Sequence, residues 1–187
     1  MSHVFIGGIP ASGKSYLARK VAEKTGAFHL NLDTLRAEMR NDPNLRYWTD
    51  FFFNQDEEKY LTQTSCEDHW KNLVAQSEAF WPTMLNKVKE TIKFHKSVVV
   101  EGVNILPHLA NKDFSFPGIF LLGESLEQIF ERNKKNPRWG KTERLQRKEA
   151  ELFFNCEREK YKQEAEKYGY KTFEDFNAAE KGLLELI

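Results

Sequence analysis

The most constraining feature of this 187-residue chain is the octet Gly8-Ile9-Pro10-Ala11-Ser12-Gly13-Lys14-Ser15. It satisfies G-x-x-x-x-G-K-[ST] at every fixed position. The two glycines permit backbone torsions that L side chains resist, so consecutive N–H groups can turn inward on an anion. The neighbouring sequence agrees. Val4-Phe5-Ile6 reads as a buried strand, while Leu17, Ala18, Val21 and Ala22 recur at helical spacing, with Gly26 placed to end the helix. A strand, a curled loop and a helix N-terminus form a phosphate-binding unit. The predicted nucleotide contacts are Gly8, Pro10, Ala11, Ser12, Gly13, Lys14, Ser15 and Tyr16. In that chemistry Lys14 reaches the β- and γ-phosphates of ATP, and the Ser15 hydroxyl coordinates the accompanying Mg²⁺.

The rest of the chain alternates strand and helix. Ala27 to Leu32 alternates as a second strand, and Asp33 is expected to open a short helix that Asp42-Pro43-Asn44 stops. A helical segment follows to about Phe94, with Pro82 expected to kink or break it. Ser97-Val98-Val99-Val100 is a continuous apolar run of the sort buried on both faces of a parallel sheet. Ile119 to Leu122 is a fourth strand, and Tyr170 to Phe173 a weaker fifth. Asn177, with Glu180 three residues on, has the spacing of a capping box for a final helix. The pattern implies an α/β fold around a five-stranded parallel sheet, read as one domain over 1–187. A helical insertion occupies about 42–95, on the acceptor side.

Composition narrows the partners. Twenty-eight basic and twenty-eight acidic residues cancel, so no global field draws the chain to nucleic acid or an anionic membrane. Cys66 and Cys156 have no second Cys or His at ligand spacing, and reduced thiols in a cytoplasmic protein are expected. Met1-Ser2-His3 runs directly into the first strand without a basic and apolar leader, and no apolar stretch is long enough to span a bilayer. No obligate protein partner is implied.

Asp33-Thr34-Leu35-Arg36 leaves the second strand on the side where parallel sheets bind ligands. Two compatible readings of Asp33 are open: a base for an attacking hydroxyl, or an N-cap. Arg36, one turn on, suits an anionic acceptor or the transferring phosphoryl group. With the loop, these residues resemble the P-loop kinases of small molecules, nucleosides and 5′-hydroxyl nucleic-acid ends. The resemblance implies a three-layer α/β/α P-loop NTPase fold, with Asp33 as base or substrate orienter. Val99-Val100-Glu101-Gly102-Val103-Asn104-Ile105-Leu106-Pro107 also resembles the Glu-Gly-Val-x-x-x-Pro stretch of 2-phosphoglycerate kinases. Glu101 at that strand end could bind an acceptor hydroxyl or hold a Mg²⁺-bound water.

Between about 132 and 142 a basic turn with Pro137 and Gly140 interrupts two helices, resembling the mobile lid of such kinases. Arg132 and Arg138 are the candidate phosphate clamps, with Arg144 or Arg147 as substitutes for the second. The leading expectation is an ATP- and Mg²⁺-dependent kinase acting on a small hydroxylated acceptor. A 5′-hydroxyl polynucleotide kinase and a nucleotide-dependent switch are the alternatives. The zero net charge disfavours the first, and the acidic strand ends disfavour the second.

Overall fold

A computed structural model describes residues 2–137 and 139–187. Five parallel strands form one sheet in the order β2-β3-β1-β4-β5. They are β1 (Ser2–Gly8), β2 (Phe28–Asn31), β3 (Ser97–Glu101), β4 (Gly118–Leu121) and β5 (Lys171–Phe173). β1 is central and pairs Phe5 with Val100 on one side and Ile6 with Ile119 on the other.

Alternation along these strands divides the core into two layers. Val4, Ile6, Val99, Ile119 and Leu121 face α1 (Lys14–Thr25) and the last helix, whose Ala179 and Leu183 join them. Phe5, Val98, Val100 and Phe120 face the opposite layer, with Phe80, Trp81 and Met84 from the long middle helix and Tyr161 and Ala165 from a later one. Helices on both faces explain why β4 and the Val98–Val100 centre of β3 are apolar.

After β2 the chain makes a 3₁₀ turn (Leu32–Leu35) and a single turn of helix, α2 (Arg36–Met39). The insertion holds α3 (Pro43–Asp50), α4 (Glu57–Gln63) and α5 (Cys66–Phe94). Pro82 does not end α5, which runs as one helix of 29 residues. Its ring removes one backbone donor. Phe80, Trp81 and Met84 on either side of it are buried, and that packing holds the helix together.

The second half comprises α6 (Pro107–Asp113), α7 (Leu126–Lys135), α8 (Glu143–Leu152), a π turn (Phe153–Glu157), α9 (Arg158–Lys167) and α10 (Phe176–Leu184). Asn177 is not the cap of α10. Asp175 is, accepting from the Ala178 N–H at 2.7 Å. Glu180 instead pairs with Lys20 and Lys24 of α1, at 2.6 and 2.5 Å.

Cys66 and Cys156 form a disulfide, which corrects the expectation of reduced thiols. Their 90-residue separation hides a contact made only when the π turn packs against the start of α5. Among the described residues no helix is long and apolar enough to cross a membrane.

Candidate active site

The loop after β1 owes its shape to three left-handed residues, Gly8 (φ 119°), Ala11 (φ 56°) and Gly13 (φ 101°). A Cβ on Gly8 would collide with the Leu121 backbone of β4, and one on Gly13 would stand 3.4 Å from the Arg132 guanidinium. Glycine is thus required at Gly8 by torsion and close approach, and at Gly13 by torsion. Lys14 Nζ donates to the Ile9 carbonyl at 2.6 Å, and Ser12 Oγ to the same oxygen at 2.8 Å. These bonds brace the loop from inside. Arg132 of α7 braces it from outside, donating from Nη1 to the Ser12 carbonyl at 2.8 Å. Burial lowers the Arg132 pKa from its ordinary value, with Glu124 opposing the shift. A guanidinium stays cationic under such a change.

Asp33 stands across the cleft, in the 3₁₀ turn at the exit of β2. Asn31 caps that turn, its side chain accepting from the Asp33 N–H at 2.8 Å. Asp33 therefore does not cap it. Its Oδ1 accepts from the Val103 N–H at 3.3 Å. Arg36 Nη2 donates to Asn104 Oδ1 at 2.8 Å, and Asn104 Nδ2 donates to Ser77 Oγ at 2.8 Å. The Tyr161 hydroxyl donates to the Val103 carbonyl, so the segment after β3 is tied to α9 as well as to α5.

One open cleft of about 410 Å³ joins the two sides. Pro10, Ala11, Gly13, Lys14, Ser15 and Tyr16 line it from the loop and α1, with Asp33 and Arg36 opposite and Arg132 above. Gly8 and Ser12 lie beneath the surface of the loop and shape it from behind. Among the described residues lining it, Lys14, Arg36 and Arg132 give three cations against the one carboxylate of Asp33. Such a site suits several phosphate charges and one proton to be removed.

Glu101 departs from its expected place on the acceptor side. It is fully buried and not among the groups lining the cleft. By alternation it shares the α1 face of the sheet with Val99, and the nearest imidazole nitrogen, His29 Nε2, is 3.5 Å from its Oε1. Arg138 lies outside the described residues. Its proposed substitutes are paired elsewhere, Arg144 with Glu58 at 2.7 Å and Arg147 with Glu127 at 2.9 Å.

Asn104, Asn133 and Asn136 were not foreseen. Asn133 and Asn136 line the cleft beside Arg132, and Asn104 orients Arg36 from a fully buried position. Only proximity to Arg132 and to the end of β3 could have marked them in the sequence.

Residues 4–91 match the family described as the AAA domain. No curated protein matches the chain by sequence. Among solved structures, shikimate kinase from Acinetobacter baumannii in complex with shikimate aligns with a TM-score of 0.53 and 15% identity, over 99% of this chain and 89% of that one. Deoxyadenosine kinase from M. mycoides with bound dATP aligns with a TM-score of 0.52 and 15% identity, over 98% and 97%. A Thermus thermophilus protein aligns with a TM-score of 0.56 and 17% identity, over 98% and 96%. Identities this low speak for the fold. With the loop at Gly8–Ser15 and the 2-3-1-4-5 parallel sheet, this chain has the P-loop NTPase fold and resembles its small-molecule kinases.

Proposed function

We propose that this chain is an ATP-dependent kinase that transfers the γ-phosphate to a hydroxyl group of a small-molecule acceptor. The observation that carries the reading is Asp33, which shares one cleft with Lys14, Ser15 and Arg132 without serving as a helix cap. A binding switch needs the phosphate loop, whereas a carboxylate opposite it gives an acceptor hydroxyl a place to leave its proton.

The loop fits a triphosphate. Its left-handed residues at 8, 11 and 13 are what an amide-lined anion cradle requires, and Ser15 offers a hydroxyl to a hard cation. When bound with the nucleotide, Mg²⁺ supplies neutralisation of the phosphate charge. Lys14 holds the outer phosphates, and Asp33 accepts the proton of the acceptor hydroxyl. Arg36, oriented by Asn104, holds the acceptor against the loop. Arg132 offsets charge on the transferred group while keeping the loop in shape. Glu101, shut off from the cleft, is left out of this set.

Transfer of labelled phosphate from MgATP to a panel of sugars, nucleosides, 2-phosphoglycerate and 5′-hydroxyl oligonucleotides tests the reading. A labelled product made by the wild type but not by Lys14→Ala or Asp33→Ala is expected. Tight MgATP binding with no product from any panel member counts for a switch instead.

A further inference from the structure

α8, the π turn and α9 run on as one rod that supports the cleft from two sides. Upstream of the turn, Glu149 of α8 accepts from Asn133 Nδ2 at 2.8 Å, and Asn133 is the neighbour of Arg132 on α7. Downstream, the Tyr161 hydroxyl of α9 donates to the Val103 carbonyl, and the Val103 N–H donates to Asp33 Oδ1 at 3.3 Å. α5 carries a third support. Its Ser77 Oγ accepts from Asn104 at 2.8 Å, and Asn104 holds Arg36.

The Cys66–Cys156 disulfide is the covalent tie between this rod and α5. It joins the first residue of α5 to the π turn, midway between the two bonds that the rod makes towards the cleft. Such turns interrupt regular helix and concentrate at functional positions. Beside the disulfide, His69 Nε2 of α5 lies 2.8 Å from Glu157 Oε1 of the turn. That contact leaves half of the carboxylate unsatisfied. Glu157 is 3% exposed, and its Oε2 has no hydrogen-bond partner among the described residues. A buried oxygen without a donor costs free energy that hydration would return. The seam between rod and α5 therefore gains by loosening, and the disulfide opposes it.

We propose that this disulfide is a thiol-operated switch on the cleft. Closed, it holds the supports of Asp33, Arg36 and Arg132 in one alignment; opened by a dithiol reductant, it releases them. The loss of phosphoryl transfer rests on the kinase reading, but the loosening of the supports does not. A dithiol reaches the bond from the Cys66 side, since Cys66 is partly exposed and Cys156 is buried. One of its thiolates attacks Cys66 Sγ, the S–S bond breaks, and Cys156 leaves as a thiolate that takes up a proton. The second thiolate of the reductant then attacks the reductant's sulfur in the mixed disulfide. Cys66 leaves in turn and is protonated. The reductant ends as a disulfide, and the protein has gained two electrons and two protons. The phosphate loop keeps its internal braces from Lys14 and Ser12 to Ile9, so MgATP affinity should move less than transfer does.

The test compares the oxidised protein, the same protein after dithiothreitol, and a Cys66→Ser/Cys156→Ser double variant. The chain has two cysteines, so a reductant effect that the double variant lacks belongs to this bond. Hydrogen exchange read by mass spectrometry should accelerate on reduction in peptides covering 101–106 and 132–136, and stay unchanged over 2–15. The double variant should match the reduced protein with or without dithiothreitol. Acceleration confined to residues around 66 and 153–157 overturns the proposal, and so does acceleration that includes 2–15, which would mean general unfolding. Transfer from MgATP to the acceptor panel should fall at least about fivefold on reduction, the lower end for coupled sites. Transfer that is detected and equal in the two states also overturns the proposal. Accelerated exchange at 101–106 and 132–136 with no transfer in either state keeps the switch and counts against the kinase.

Discussion

Arg132 Nη1 lies 2.8 Å from the carbonyl oxygen of Ser12, joining α7 to the phosphate loop across 120 residues of sequence. The same guanidinium stands over Gly13, where a Cβ would come within 3.4 Å of it. One planar cation thus holds the loop while facing the cleft. Lysine keeps the charge but cannot span two points with a rigid fork. Arg132→Lys is expected to lower phosphoryl transfer by about 10³-fold, the lower end for arginines that stabilise this transition state. Single-turnover rates at saturating MgATP would show it. A rate within threefold of wild type would remove Arg132 from the chemistry.

At Asp33 the proposed catalytic role can be tested apart from stability. Because Asn31 caps the turn, Asp33→Asn deletes no cap and keeps an oxygen for the Val103 N–H. Unfolding free energy is expected to change by about 0.5 kcal/mol or less, as for substitutions that break no cap or buried network. Transfer should drop by about 10²–10⁴-fold, the usual contribution of a general base. Loss of stability with turnover intact would return Asp33 to a structural role.

Much of the scaffold is readable from local pattern. The phosphate loop is contiguous, and each of its side chains is dictated by torsion or anion contact, so it can be read residue by residue. β3 and β4 announce themselves as short apolar runs because both their faces are covered. What escaped depends on packing between distant segments. Pro82 looks like a break, yet buried neighbours carry α5 through it. Asn177 and Glu180 have capping-box spacing, but Glu180 is drawn to Lys20 and Lys24, and Asp175 takes the cap. Glu101 marks a strand end correctly while its strand parity turns it into the α1 face. The hold of Asn104 on Arg36, across 68 residues, leaves no local trace.

The Cys66–Cys156 disulfide closes a loop with a sequence separation of 90 that contains α5, the strands β3 and β4, and helices α6 to α8. Opening it should destabilise the protein by about 2–4 kcal/mol, chiefly by restoring conformational freedom to the unfolded chain. Denaturant midpoints with and without reductant measure the effect. A Cys156→Ala variant should match the reduced wild type and be insensitive to reductant. Equal midpoints in all four samples would mean that the bond contributes nothing in solution.

His108 of α6 links three helices, its Nδ1 lying 2.7 Å from Glu164 of α9 and its Nε2 3.4 Å from Glu78 of α5. The hydrogen bond to Glu164 raises its pKa above the ordinary 6.5, burial opposes this, and the charges of Glu164 and Glu78 add to it. The folded state therefore favours the imidazolium. For a group raised on folding, the added stability is complete below the unfolded pKa and is lost as pH rises through the folded one. Glu78 is more than half exposed, so solvent screens its share, and Glu164 is the partner that matters. Stability measured from about pH 5.5 to about 8.5 should carry a downward component on the alkaline side, within the range where histidine titrates. His108→Gln keeps a donor for Glu164 but cannot titrate. Subtracting its profile from that of the wild type cancels every other group and should leave a difference that shrinks as pH climbs above 6.5. A difference that is flat across the range, or that grows with pH, would show that His108 is not protonated preferentially in the fold.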